Sequence, residues 1–237
     1  MWQALRDELQ PTNTEIVTVA LDTGGVAAAK PFVDMADPEH PSLLDEAHVL
    51  DELLGFINVP MAVWIDETGV LVRPAHAAHI QTSAFRDAPI PENLPERIRE
   101  TLVEVKKMKA DPDTYRAALL DWAEHGRDSR FALTPDEVIA QSLPRPADHA
   151  RAIASFELGQ HLWRQGERDA AVRWFREAHR LHPENWTYKR QAWSFATTKP
   201  GELSDLLQGP TDVYDGNWLD DIKRQGAEHY YPPFDAD

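Results

Sequence analysis

The sequence predicts an α/β segment followed by an all-α segment, and three observations carry that reading. Over the first eighty residues, short β-branched runs alternate with stretches of helical periodicity. A proline-rich stretch at 87–95 then breaks regular structure. Beyond residue 96 the apolar residues recur at helical spacing alone.

Taken in order, Trp2, Leu5 and Leu9 repeat at helical spacing until Pro11 ends the pattern. Residues 15–21 are β-branched and nearly continuous in apolar character, as expected of a strand buried on both faces. Asp22-Thr23-Gly24-Gly25 turns the chain. Asp22-Thr23-Gly24 matches the tripeptide of aspartic proteases, but that mechanism needs two such loops sharing a proton, so a strand-to-helix turn is favoured. Residues 26–36 predict a helix interrupted or restarted at Pro31, and residues 42–45 a short extended segment. Val49, Leu50, Leu53 and Leu54 form an apolar stripe on a helix stopped by Gly55. Residues 61–65 read as a buried strand, Glu67-Thr68-Gly69 as a tight turn and Val70-Leu71-Val72 as the hairpin partner.

Composition limits the function. The length of 237 residues suits two compact domains, and 42% hydrophobic content with eight Trp argues for globular packing. Net charge is −16, with 3 Lys and Arg against 13 Asp and Glu in residues 1–80. Repulsion from phosphates argues against nucleic acid and against an anionic membrane surface as partners. No apolar stretch approaches the roughly 18 residues of a membrane span. The first residues also lack a basic region followed by an apolar one, so the expected location is cytoplasmic. With no Cys, the residues themselves supply no disulfide, thiolate-bound metal or thiol chemistry.

Several patterns of the first eighty residues resemble the thioredoxin fold, in particular the TlpA/ResA-like redoxins. These are Leu21-Asp22, Leu43-Leu44-Asp45, the helix ending at Gly55, and Asn58-Val59-Pro60 before Val63-Trp64-Ile65-Asp66-x-x-Gly69. In that family the proline is cis and faces the reactive Cys-x-x-Cys, while the residue before it pairs with an extended substrate. The resemblance therefore implies a substrate-binding set of Val59, Pro60 and Met61, with Met61 replacing the common Thr. Taken alone, Pro60 also fits an ordinary trans proline opening a strand; the surrounding match favours cis.

Family members carry a strand and a Trp-x-x-x-Cys-x-x-Cys motif before a Glu-Met-Pro-x-Leu-like stretch. Met1-Trp2-Gln3-Ala4-Leu5 resembles the latter, with Trp2 at the proline. The resemblance thus implies a reactive motif upstream of Met1 and a redox-inactive chain. The ResA-like branch with a Trp-Ala-x-x-Sec-Gly-x-x-Cys motif offers a reason, since a selenocysteine codon is read as a stop by gene callers. A selenol is ionised at neutral pH, where a thiol needs assistance. The absent strand would lie centrally, between residues 16–21 and 61–65. The expectation is that direct pairing of those strands, another segment or a partner chain closes the gap, a homodimer included.

The fold expected is α/β plus α: a truncated thioredoxin-like domain at 1–86, a linker at 87–95 and a helical domain at 96–237. Glu96 to Lys109 and Asp113 to His125 are helical by period, and Thr134-Pro135-Asp136-Glu137 is a helix start with a capping Thr and a Glu three residues on. Leu158, Gly159, Leu162, Gly166, Ala171, Phe175, Ala178 and Pro183 fall at tetratricopeptide positions within 151–184. Trp186 to Thr198 would cap that single repeat. Trp163, Trp174, Trp186 and Trp193 fit either a peptide groove or, preferably, a core between helices. The aromatic tail from Tyr214 to Phe234 is expected to dock on its own protein. The Trp186-to-Trp193 segment and Tyr230-Tyr231-Pro232-Pro233 resemble the same selenocysteine branch.

His76 and His79, with His40 or His48, lack the spacing of known zinc signatures, and surface or hydrogen-bonded roles are favoured. No phosphate loop, nucleophile elbow or dinucleotide motif is present, and no metal or cofactor is expected. The function implied is thiol or selenol oxidoreductase or peroxidase-like chemistry on a protein, peptide, small disulfide or peroxide. The alternative is a non-enzymatic scaffold that binds proteins through its helices.

Overall fold

The computed structural model of the chain describes residues 2–81, 88–142, 144–196 and 208–234. The first position of the expected linker, Asp87, and the expected end of the capping helix at Thr197 and Thr198 lie outside the described residues. The fold is mixed α/β with two small sheets, and the chain divides into two compact units. The first gathers residues up to Gln81 with Asp111–Pro144 and Phe234; the second gathers 88–110 with Arg145–Pro233. The sequence draws one boundary at 87–95, whereas residues 111–144 and Phe234 group with the first segment. The cause is burial: Tyr115, Ala118, Leu119 and Phe131 share a core with Leu5, Leu9, Trp64 and Val72, and Phe234 packs against it.

In the first unit, α1 (Trp2–Leu9) buries Leu5 and Leu9 as its periodicity predicts. β1 (Thr18–Leu21) leads through the glycine turn into α2 (Val26–Ala36), a single helix that carries Pro31 inside it. The interruption expected at Pro31 is not there; the helix tolerates one missing N–H donor. β2 (Ser42–Asp45) pairs in parallel with β1, Thr18 opposite Ser42 and Leu21 opposite Asp45. α3 (Val49–Leu54) stops at Gly55, whose φ of 77° is the left-handed C-terminal conformation glycine favours. The apolar stripe is only partly covered: Leu50 and Leu54 are half-buried, whereas Val49 and Leu53 are exposed, Leu53 at 69%, and Asp51 is buried at 4%.

β3 (Met61–Ile65) and β4 (Leu71–Ala77) form the hairpin, antiparallel from Met61 opposite Ala77 to Ile65 opposite Leu71. β4 runs well past the Val72 end that the sequence suggests. The pairing is irregular between Ala62 and Ile65, and the facing stretch of β4 holds Pro74, which has no N–H to donate to a ladder. Beyond the hairpin, α5 (Pro112–His125, after α4 described below) and α6 (Pro135–Gln141) complete the unit. Thr134 and Glu137 form the reciprocal cap that the sequence predicts. The loop before α6 leans on the hairpin, with Leu133 N donating to Val72 O at 2.9 Å.

The expected closure of the sheet by direct pairing or by another segment of the chain is corrected. Among the described residues β1 pairs with β2 and β3 with β4, giving two separate two-stranded sheets and no strand joining β1 to β3. As a consequence β1 is half-buried along its whole length, not buried on both faces. A strand with a ladder on one side only has too few neighbours to cover both faces. Val17, Phe32, Met35, Leu43 and Ile65 are all exposed in this unit.

The second unit is helical. α4 (Glu96–Lys107) is followed by the hairpin of α7 (Ala147–Arg164) and α8 (Arg168–Leu181), then α9 (Trp186–Ala196) and α10 (Trp218–Gln225). Ala152, Phe156, Ala171, Phe175 and Ala178 are fully buried between the hairpin helices and their neighbours. Trp186 and Trp193 are core, as is the tail through Tyr214, Trp218, Ile222 and Tyr230. Inside that core Lys189 Nζ meets Asp221 Oδ2 at 3.0 Å, so a buried cation is paired.

Gly159 sets the closeness of the hairpin. A Cβ placed there would stand 2.7 Å from two ring carbons of Phe175, a side chain with no exposure. The substitution Gly159→Val should therefore lower unfolding stability by about 1–3 kcal/mol through overpacking, despite removing a flexible glycine from a helix. Urea denaturation checks this, and an unchanged midpoint would refute the contact's importance.

Candidate functional site

The residues singled out from sequence, Val59, Pro60 and Met61, lie where the chain leaves α3 and enters β3. Gly55 turns the backbone, Phe56 and Asn58 are buried, and Val59 emerges exposed. The Val59–Pro60 peptide is cis. Two hydrogen bonds hold this corner. Ala78 N donates to Pro60 O at 3.1 Å, tying the corner to the end of β4, and Val59 N donates to its neighbour's Asn58 Oδ1 at 2.8 Å. The Val59 N–H is therefore already engaged, a feature that the residue types alone do not reveal.

Behind the corner the hairpin rests on an aromatic group assembled from distant positions. Trp64 stacks on Trp122 at 5.0 Å between centroids, and Phe234 lies 5.3 Å from Tyr115 and 5.1 Å from His76. Arg73, 4% exposed, donates to Phe131 O at 2.8 Å, with its guanidinium 4.3 Å over the Phe234 ring. His76 Nδ1 lies 2.7 Å from Pro74 O. Burial, aided by the charge of Arg73, pushes the His76 imidazole down to about 4, and burial pushes the Tyr115 hydroxyl up to about 12. Both groups are neutral at pH 7, so this face is an apolar support with no acid or base poised near neutrality.

The other end of the hairpin is held by Asp66. Its carboxylate accepts from Thr68 Oγ1 at 2.7 Å, Thr68 N at 2.9 Å and Val70 N at 3.0 Å, and from Arg127. The Thr68 hydroxyl foremost, with the two amides and the guanidinium, holds this carboxyl far below the usual carboxylate range. It acts as a turn-stabilising anion.

Asp22-Thr23-Gly24 is a turn, as expected: Asp22 Oδ1 accepts from Gly24 N at 2.8 Å and Asp22 O from Gly25 N at 3.0 Å. His40, His48 and His76 are buried. Among the described residues, the histidines that meet with a carboxylate at metal-ligand spacing are instead His149 and His182, a pair that no sequence spacing suggests.

His76 gives a pH dependence whose sign follows from its position. The unfolded imidazole takes its proton near pH 6.5 and the folded one only near 4, so stability from neutral His76 is complete above about 6.5 and is lost as pH falls through 4. His76→Phe should shrink the stability difference between pH 7 and pH 4.5 relative to the parent chain, measured by chemical denaturation at both values; an unchanged difference would exclude His76 as the source. Comparison with known proteins gives no match: no protein-family profile, no curated protein and no solved structure aligns significantly with the chain.

Proposed function

We propose that the first unit is the substrate-holding part of a thioredoxin-like redox domain of the TlpA/ResA type. The observation that carries this reading is the pair of separate two-stranded sheets, with β1 and β3 each lacking a neighbouring strand on one edge among the described residues. One further strand set between them would complete a five-stranded sheet.

In this reading the reactive selenol or thiol lies upstream of Met1, on the chain that supplies the missing strand. The ionised chalcogen attacks a substrate disulfide sulfur or peroxide oxygen. The departing thiolate or alkoxide takes up a proton, and a second thiol displaces the enzyme-bound group, leaving the pair oxidised. Val59 and Pro60 hold the extended substrate, a protein, peptide or small disulfide, or a peroxide, with Met61 beside them at the start of β3. The residues numbered here contain no cysteine and supply no electron pair for that exchange.

A second reading has its own support in the helical unit. Trp163, Val172, Phe195 and Tyr214 line a cleft with Arg168 and Arg176, and Trp163 stacks on Phe195 at 4.2 Å. Its apolar walls suit a peptide segment, with Arg168 and Arg176 balanced by Asp169 and Asp212 in the same lining, which would make the chain a binding scaffold.

A dithiol-coupled disulfide reductase assay separates the two. The chain starting at Met1 should show no activity above background, and a chain extended by the in-frame upstream codons, with any selenocysteine codon decoded, should gain at least about a hundredfold over it, a small share of the acceleration enzymes reach. Activity without the extension overturns the redox reading's placement of the reactive group. An inactive extended chain overturns the redox reading itself and leaves the scaffold.

A further inference from the structure

His149 lies in the first turn of α7, His182 directly follows α8, and Glu184 stands two residues beyond it. The hairpin thus brings His149 to the same end as His182 and Glu184, more than thirty positions on in sequence. The two imidazoles lie face to face, 3.7 Å between centroids and 12° from parallel. Glu184 Oε1 stands 3.3 Å from His149 Nε2 and 4.0 Å from His182 Nε2, and the three ligand atoms lie within 4.8 Å of one another. A tetrahedral zinc ion with bonds of about 2.0–2.1 Å sets its ligand atoms roughly 3.3 Å apart, so the His149–Glu184 distance already fits, and binding requires the two stacked rings to turn out of their near-parallel arrangement until both nitrogens face one ion.

An ion pair between His149 and Glu184 would account for those two residues alone. It leaves His182 unexplained: the residue is 7% exposed, its Nδ1 is buried without a hydrogen-bond partner and its Nε2 points to the carboxylate from beyond hydrogen-bond distance. A buried imidazole with no partner is costly unless something meets it. Of the nearby cations, Lys189 is neutralised by Asp221 at 3.0 Å. The loop bearing Glu184 is held by the fully buried Asn185, whose Oδ1 accepts from Thr187 N at 3.1 Å and Tyr188 N at 3.2 Å.

We propose that His149, His182 and Glu184 form a binding site for one divalent transition-metal ion of the zinc type. Two imidazoles and one carboxylate suit zinc, cobalt or nickel and disfavour magnesium or calcium, whose ligands are oxygens. Three protein ligands leave a fourth position for water or a small anion, the arrangement of open zinc sites. Such an ion would join the start of α7 to the loop after α8 and stabilise the hairpin by mass action. The site is independent of the redox reading of the first unit.

The test uses the whole chain, metal-free, titrated with Zn2+ by calorimetry and with Co2+ by visible absorption. One equivalent should bind, Co2+ should give the intense band of a tetrahedral nitrogen–oxygen site, Zn2+ should raise Tm, and Mg2+ should do none of this. His149→Gln and Glu184→Gln should each weaken Zn2+ binding by at least about tenfold, the lower end of what even supporting residues contribute. His229→Gln, at an exposed histidine elsewhere, should leave it unchanged. Absence of the Co2+ band in the parent chain overturns the proposal without any variant, as does parent-like affinity in both substituted chains.

Discussion

Backbone hydrogen bonding governs the first unit more than any single side chain. A strand offers donors and acceptors on two edges, and among the described residues β1 and β3 are each laddered on only one. Two-stranded ribbons are marginal in water, so each must lean on something else. The β3–β4 hairpin leans on the aromatic group around Trp64, on the Leu133 contact to β4 and on the Asp66 turn. The β1–β2 ribbon has less: its half-buried residues and the exposed Leu43 show an apolar ribbon with one face poorly covered. The outward Leu53 and Met35 belong to the same condition. Apolar residues on elements that flank an incomplete sheet have no layer to pack into.

The helical unit obeys a different rule. Its backbone groups are paired within each helix, so its stability is decided by how closely helices approach. Gly159 permits Phe175 to enter against α7, and the aromatic residues of α9 and the tail fill the space beyond. Phe156 stacks on Tyr188 at 4.1 Å and Trp186 meets Tyr230 at 4.7 Å, contacts that join elements far apart in sequence. Lys189, a cation buried in this interior, is accepted because Asp221 accompanies it.

What the sequence made legible was local. The Gly55 stop, the Thr134–Glu137 cap, the glycine turn at Asp22 and the helical periods each depend on residues within a turn or two of one another. What it hid was assembled at a distance. No spacing rule joins Phe234 to Trp64 and His76, or His149 to His182, because each pair is created by the packing of whole elements. The reversed burial of Leu53 and Asp51 escaped for the same reason: periodicity identifies which residues share a helix face, and only the neighbours decide which face turns inward. Pro31 shows the opposite limit, a strong local signal overruled by a helix that continues through it. Of the candidate corner, the identities of Val59, Pro60 and Met61 were readable, while the hydrogen bond that occupies Val59 was not.

That bond changes the energetics of anything that docks at the corner. An extended chain laid beside Val59 must first displace the Asn58 side chain from the amide, exchanging one hydrogen bond for another of similar strength. The exchange yields little net affinity, so under the proposed reading affinity at the corner would come from the side chains of the docked chain. Asn58 thus acts as an internal placeholder that keeps the Val59 amide satisfied by the chain itself.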